Sequence, residues 1–195
     1  HMKQFGFLLI LLFILVSCQR DYNYSKSPYK FLPSESEVVI SINELNDFIN
    51  SSKKHTILKS IYNKELNETS ALLKNINTTD KVYVAFLNPQ HTDYLILTKN
   101  DSTVFAVDSI PNHISKNLSE FDISKTQIDS TVFYHKVLNT IFVASNSLDV
   151  IKNLKPNEEK HKLTDLIETT ENKTIASVVF KTKASNYSDL LFSQK

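Results

Sequence analysis

The chain has 195 residues, 41% of them hydrophobic, with 22 basic against 21 acidic side chains; this is enough apolar material and length for one folded domain and argues against wholesale disorder. Lysines scattered among acids and amides at near-zero net charge exclude the basic stripe of a nucleic-acid-binding protein. The one glycine, Gly6, lies close to the N-terminus, so the phosphate-binding loop, the dinucleotide fingerprint and the GxSxG elbow are all absent, each needing glycine for a left-handed turn or a close backbone approach.

The chain opens with His1 and Met2, read as a cloning remnant, then Lys3 and an apolar block from Phe5 to Val16 that ends at Ser17 and Cys18. A membrane-spanning helix needs about 20 apolar residues, and this block is too short. One basic residue, a short greasy run and a small-residue ending are the marks of a secretory signal. The segment LVSC, Leu15 to Cys18, resembles the lipobox of bacterial lipoproteins. That resemblance implies cleavage before Cys18 and lipidation of its thiol, leaving a mature chain without Lys3 and so with 21 basic against 21 acidic residues. Cys18 is the lone cysteine, which leaves no intramolecular disulfide partner. At the edge of a signal it has no folded pocket to activate it as a nucleophile, and several acyl chains would anchor it as one chain cannot.

Residues 18–30 are polar, carry Tyr22, Tyr24 and Tyr29, and show no period; they read as a tether. Folding is expected from residue 31. A β-branched strand spans Glu37 to Ile42, after the turn at Pro33. Apolar residues at helical spacing, among them Leu45, Phe48, Ile49, Ile57, Leu58, Ile61, Leu66, Leu72, Leu73 and Ile76, predict two or three helices over Asn43 to Ile76. Strands follow at Lys81 to Leu87, Asp93 to Lys99 and Ser102 to Asp108, then a short helix at Pro111 to Leu118. Three more strands are read over Phe121 to Asn146, and a helix over Ser147 to Leu154 that Pro156 ends.

The expected class is α+β, a mostly antiparallel sheet of about six to seven strands packed by helices, because the polar breaks between strands suit hairpins and are too short for parallel crossovers. With no glycine available, asparagine, present 18 times, is expected at left-handed turn positions. DSTVF occurs at Asp101 to Phe105 and again at Asp129 to Phe133, and a shared turn-then-strand pattern accounts for it. SEVVISINELNDFI, Ser36 to Ile49, is echoed by ASVVFKTKASNYSDLL, Ala176 to Leu191. The domain is therefore drawn as 31–174, with 175–195 either the start of a second repeat or a closing strand and helix.

The lipobox, the Asn, Lys and Ile content, FLPSESEVVISIN and IFVASNSLDVIKNL together make the chain similar to uncharacterised Bacteroidetes envelope lipoproteins with repeated α+β modules. The resemblance implies anchorage in the cell envelope, at the outer membrane, on its periplasmic or its surface face. It also implies O-glycosylation at Asp-Ser followed by Thr or an apolar residue, which Ser102, Ser109 and Ser130 match.

No catalytic or cofactor-binding residue is identified and no cofactor is expected. His91, Asp93 and His135 could converge on a metal, but histidines scattered through so polar a chain read as solvated surface, and Glu158, Glu159 and Lys160 as a solvated loop. The function read from the residues is a non-catalytic binding or scaffolding module. Its partners are the membrane, through lipidated Cys18, and an envelope protein complex or a glycan, with no nucleic acid. The alternative is a hydrolase or other enzyme whose site lies in a cleft or a downstream region.

Overall fold

The computed structural model describes residues 27–52, 64–88, 93–119, 121–158, 161–170 and 173–180. Cys18 with the signal and most of the tether, the helical positions Ile57, Leu58 and Ile61, and His91, Glu159, Lys160 and the echo beyond Phe180 lie outside the described residues.

Among the described residues eight strands are formed: β1 (Val38–Ile42), β2 (Val82–Asn88), β3 (Asp93–Lys99), β4 (His113–Leu118), β5 (Ile123–Ile128), β6 (Thr131–Leu138), β7 (Ile141–Ser145) and β8 (Ala176–Phe180). They make one sheet in the order β4-β5-β6-β7-β3-β2-β1-β8, with every neighbouring pair antiparallel. Among the described residues four α-helices accompany it: α1 (Leu45–Ser52), α2 (Lys64–Leu73), α3 (Leu148–Asn153) and α4 (Lys162–Glu168). The fold is α+β.

Strands β1, β3 and β7 are buried on both sides of the pleat, which is why their sequences read as near-continuous apolar runs. On the first face Val38, Ile40, Val84, Ile96 and Phe142 pack with Leu45 and Phe48 of α1 and Leu72 and Leu73 of α2. On the second, Val39, Tyr83, Leu95, Leu97 and Val143 pack with Ile151 of α3, Leu163 and Ile167 of α4, and Phe31 and Leu32 at the chain's entry. Each fully buried aliphatic side chain stabilises the fold by about 1.5–3 kcal/mol relative to exposure. Tyr94 is wholly buried among the first set, and its hydroxyl has no hydrogen-bond partner among the described residues; burial raises its pKa far above the ordinary phenol value, with the charge of Glu68 adding to the effect.

The entry is fixed by polar contacts. Residues Pro28–Phe31 form a 3-10 turn on the second face. Asn157 donates its backbone N–H to Lys30 O at 2.8 Å and its amide to Leu32 O at 2.8 Å. The Tyr29 hydroxyl donates to Glu168 Oε1 at 2.5 Å. The chain is thereby held against α4 and the segment before it.

The sheet differs from the expected strand set at three places. Ser102 to Asp108 is not a strand: Asp101 Oδ1 accepts from the backbone N–H and the hydroxyl of Thr103, both at 2.7 Å, closing a turn that is followed by a second 3-10 turn at Val107–Ser109. Pro111 to Leu118 is not a helix: Asn112 has φ 55°, which stops helical propagation, and His113 to Leu118 pairs with β5 as β4. The strand Ala176–Phe180 pairs with β1 in full register, so the sheet runs past position 174. The count is therefore eight rather than six to seven. The left-handed turn positions are shared between Asn112 and Asn139 and between Asp122 and Asp129, the residues whose short polar side chains best tolerate that region.

Candidate functional site

The helices cover the sheet unevenly. Strands β1, β2, β3 and β7 are buried, whereas β4, at one edge, has no buried residue. At this end of the first face a concavity of about 410 Å³ opens, lined by residues of the segment after β3 and by β5, β6 and β7.

Its floor is aromatic. His135 lies 5.0 Å from Phe105 in a T-shaped arrangement and 5.8 Å from both Phe133 and Phe142, centroid to centroid. Phe105 also stands 5.6 Å from Phe133 and 5.4 Å from Phe142, so this one side chain, carried on the Asp101–Thr103 turn, roofs the cluster. Such contacts add about 0.5–1.5 kcal/mol each to the burial term. The rim is polar and acidic, with Asp101, Asp122, Ser102 and Ser124 around it. Hydrogen bonds from Thr103, from its side chain first, hold the Asp101 carboxyl below the usual carboxylate range. Burial pulls the Lys136 ammonium down, and the neighbouring Asp122 opposes it.

Burial alone lowers the pKa of His135 to about 4, so the imidazole is neutral near neutral pH. Its Nε2 is 2.9 Å from Thr126 Oγ1, which in turn is 2.9 Å from Ser115 Oγ. The three groups form a relay across β6, β5 and β4. A neutral imidazole beside a hydroxyl is the pairing used to activate an alcohol nucleophile. Here Thr126 is completely buried within the sheet, out of reach of a substrate carbonyl, and the pair acts as a brace for the wall of the concavity.

The residues singled out in the sequence are placed apart. Ser102 lines the concavity. Ser109 is exposed at the end of the second 3-10 turn, and Ser130 is exposed in the two-residue β5–β6 turn; all three serines are exposed. Among the described residues no three His, Cys, Asp or Glu side chains come together as an ion-binding group, and His135 stands apart from Asp93. Cys18 lies outside the described residues. Also among these residues, no helix is long and apolar enough to cross a membrane. Phe105, Thr126 and Ser115 were not marked by the sequence, since a polar residue in a strand signals its hydrogen-bonding partner only when the register is known.

No protein-family model matches the chain, and no curated protein is significantly similar to it. Among solved structures it is similar to TP0453. Crystal form III of that protein superposes with a TM-score of 0.48 at 13% identity, over 88% of this chain and 70% of that one. Crystal form I gives 0.43 at 11%, over 82% and 63%. A likeness at this distance carries nothing about the concavity.

Proposed function

We propose that the chain is a lipid-anchored envelope lipoprotein, at the outer membrane, whose α+β domain is a non-catalytic binding or scaffolding module. The observation that carries this reading is the lipobox-like LVSC ending at Cys18, followed by the polar, aperiodic stretch 18–30 that reads as a tether. A short tether of that kind holds a domain at the membrane, where capture of a partner is its natural work. The concavity suits this role. An aromatic floor with a few hydroxyl and carboxylate groups on the rim binds a small amphipathic group or a protruding side chain, and its one histidine is engaged in bracing the sheet. A protein complex of the envelope or a glycan is the class of partner it would meet there.

The test is metabolic labelling with a clickable fatty acid in a bacterium that processes lipoproteins. Wild-type chain should take the label and fractionate with membranes, and Cys18→Ala should lose the label. Equal labelling of the variant would reject the assignment.

A further inference from the structure

The opposite face of the same sheet end has a different chemistry. Lys116 of β4 and Lys125 of β5 are direct cross-strand partners, both exposed, a like-charge pairing that costs a sheet stability when nothing neutralises it. Neither forms an ion pair with a described residue. Lys125 Nζ instead lies 6.0 Å from the ring of Tyr134, and Lys152 of α3 lies 4.0 Å above the ring of Phe121. Lys136 is on the same side of β6 as Tyr134, with Asp122 as its nearest acidic influence. Beside these cations two large apolar side chains stand in solvent: Ile114 is 69% exposed and Phe121 41%. Ile114 shares its side of β4 with Lys116, two residues on.

We propose that this face of β4, β5 and α3 docks on anionic phospholipid headgroups. The combination is what an interfacial surface requires: ammonium groups for phosphate oxygens, and apolar tips beside them that enter the headgroup boundary. A purely electrostatic partner would account for the lysines and leave Ile114 and Phe121 unexplained. The surface has a boundary, because the outward side of α4 carries Asp165 and Glu168, so the β4–β5 edge meets the bilayer first.

The path of the chain agrees. The 3-10 turn at Pro28–Phe31 packs on this same second face, and the span from Cys18 to Ser27 reaches at most about 30 Å. A lipid on Cys18 would keep the domain within that reach of the bilayer, which lets the lysine face touch it. This proximity rests on the proposed lipidation, whereas the headgroup contact does not.

The chain contains no tryptophan, so a single introduced indole reports on its own surroundings. The full chain carrying Ile114→Trp is reconstituted in vesicles of phosphatidylcholine with or without phosphatidylglycerol, and intact mass determines separately whether Cys18 is acylated. If Cys18 is unmodified, the apolar block at Phe5 to Val16 still tethers the chain, and the indole still reads the contact. The expected result is a blue-shifted emission, with quenching by brominated lipid, in the phosphatidylglycerol vesicles alone. The signal should be lost in high salt or when Lys116→Glu and Lys125→Glu are added, and absent for Val137→Trp on the concavity face. No shift with phosphatidylglycerol, an equal shift in phosphatidylcholine, or an equal shift at position 137 would each overturn the proposal.

Discussion

Asp101 to Phe105 and Asp129 to Phe133 have the same five residues in the same order, yet the first closes on itself over the sheet while the second turns once and becomes β6. The difference lies in what each copy finds beside it. Upstream of Asp129 stands β5, whose far edge is taken by β4 and whose near edge is free, so Thr131 pairs at once with Ile128. Upstream of Asp101 stands β3, already flanked by β2 and β7. With no edge to join, the first copy satisfies its polar groups locally through Asp101 and Thr103 and is tied down by Asn100 N–H on Thr140 O at 2.7 Å. The burial pattern inverts as a result. In the first copy Val104 is fully buried and Phe105 is a half-exposed roof; in the second Phe133 is fully buried and Val132 is half-exposed. The two phenylalanines then meet each other.

The largest effect that breaks the comparison should come from the valines. Val104→Asp would place an unpaired carboxylate in the first-face core, where it cannot be solvated, and should abolish the cooperative thermal transition. Val132→Asp, the same change in the same pentapeptide, should leave a cooperative transition with only a modest loss. Equivalent melts for the two variants would contradict the inverted burial.

The phenylalanines should rank the other way. Phe133→Ala removes a fully buried ring and should cost about 3–5 kcal/mol in denaturant unfolding. Phe105→Ala removes a half-exposed roof, and should cost roughly half as much while opening the His135 cluster to water. A larger loss at position 105 would show that the first copy, and not β6, carries most of the packing at this end of the core.

This inversion marks the limit of what the amino-acid sequence makes legible. Strands β1, β2 and β3 and β5 through β7 were readable because their apolar runs are dense or their turns are short. The first DSTVF was read as a strand because local pattern is blind to whether a sheet edge is available. β4 was missed for the opposite reason: HISKNL is exposed along its length, so no burial alternation is written into it, and only β5 makes it a strand. α4 escaped because HKLTDLIE is short, though Leu163 and Ile167 are spaced for one helical face. The concavity could not be foreseen at all, since it needs Phe105 as a roof and the register that sets Thr126 between Ser115 and His135.

A third effect is read in pH. The folded chain holds His135 near pKa 4 by burial, against about 6.5 when unfolded. The unfolded state therefore takes the proton first as pH falls. The histidine's full contribution is present above about pH 6.5 and is lost progressively down to about pH 4, up to roughly 3 kcal/mol. In urea titrations across that window, His135→Gln, which can still hydrogen-bond Thr126 and cannot titrate there, should show a flatter dependence than wild type. Parallel curves would mean that His135 is solvated and that Phe105 does not roof it.

The smallest effect, and the sharpest on the comparison, concerns the two aspartates that open the copies. Asp129 sits at φ 51° in the two-residue β5–β6 turn, a left-handed position that an L-residue occupies at some cost and glycine does not. Asp129→Gly should relieve it, and the gain is offset in part by the greater freedom of glycine in the unfolded chain, leaving a net stabilisation of about 0.5 kcal/mol. Asp101 is not at a left-handed position; its carboxylate is what closes the turn, by accepting from both the amide and the hydroxyl of Thr103. Asp101→Gly should therefore lower the melting temperature and loosen Phe105, detected as increased exposure of the His135 cluster to solvent. Identical residues at identical positions of an identical pentapeptide should thus answer the same substitution with opposite signs, because one aspartate is tolerated for its backbone and the other is needed for its side chain. Melting temperatures that move in the same direction would show that the two turns are built alike after all.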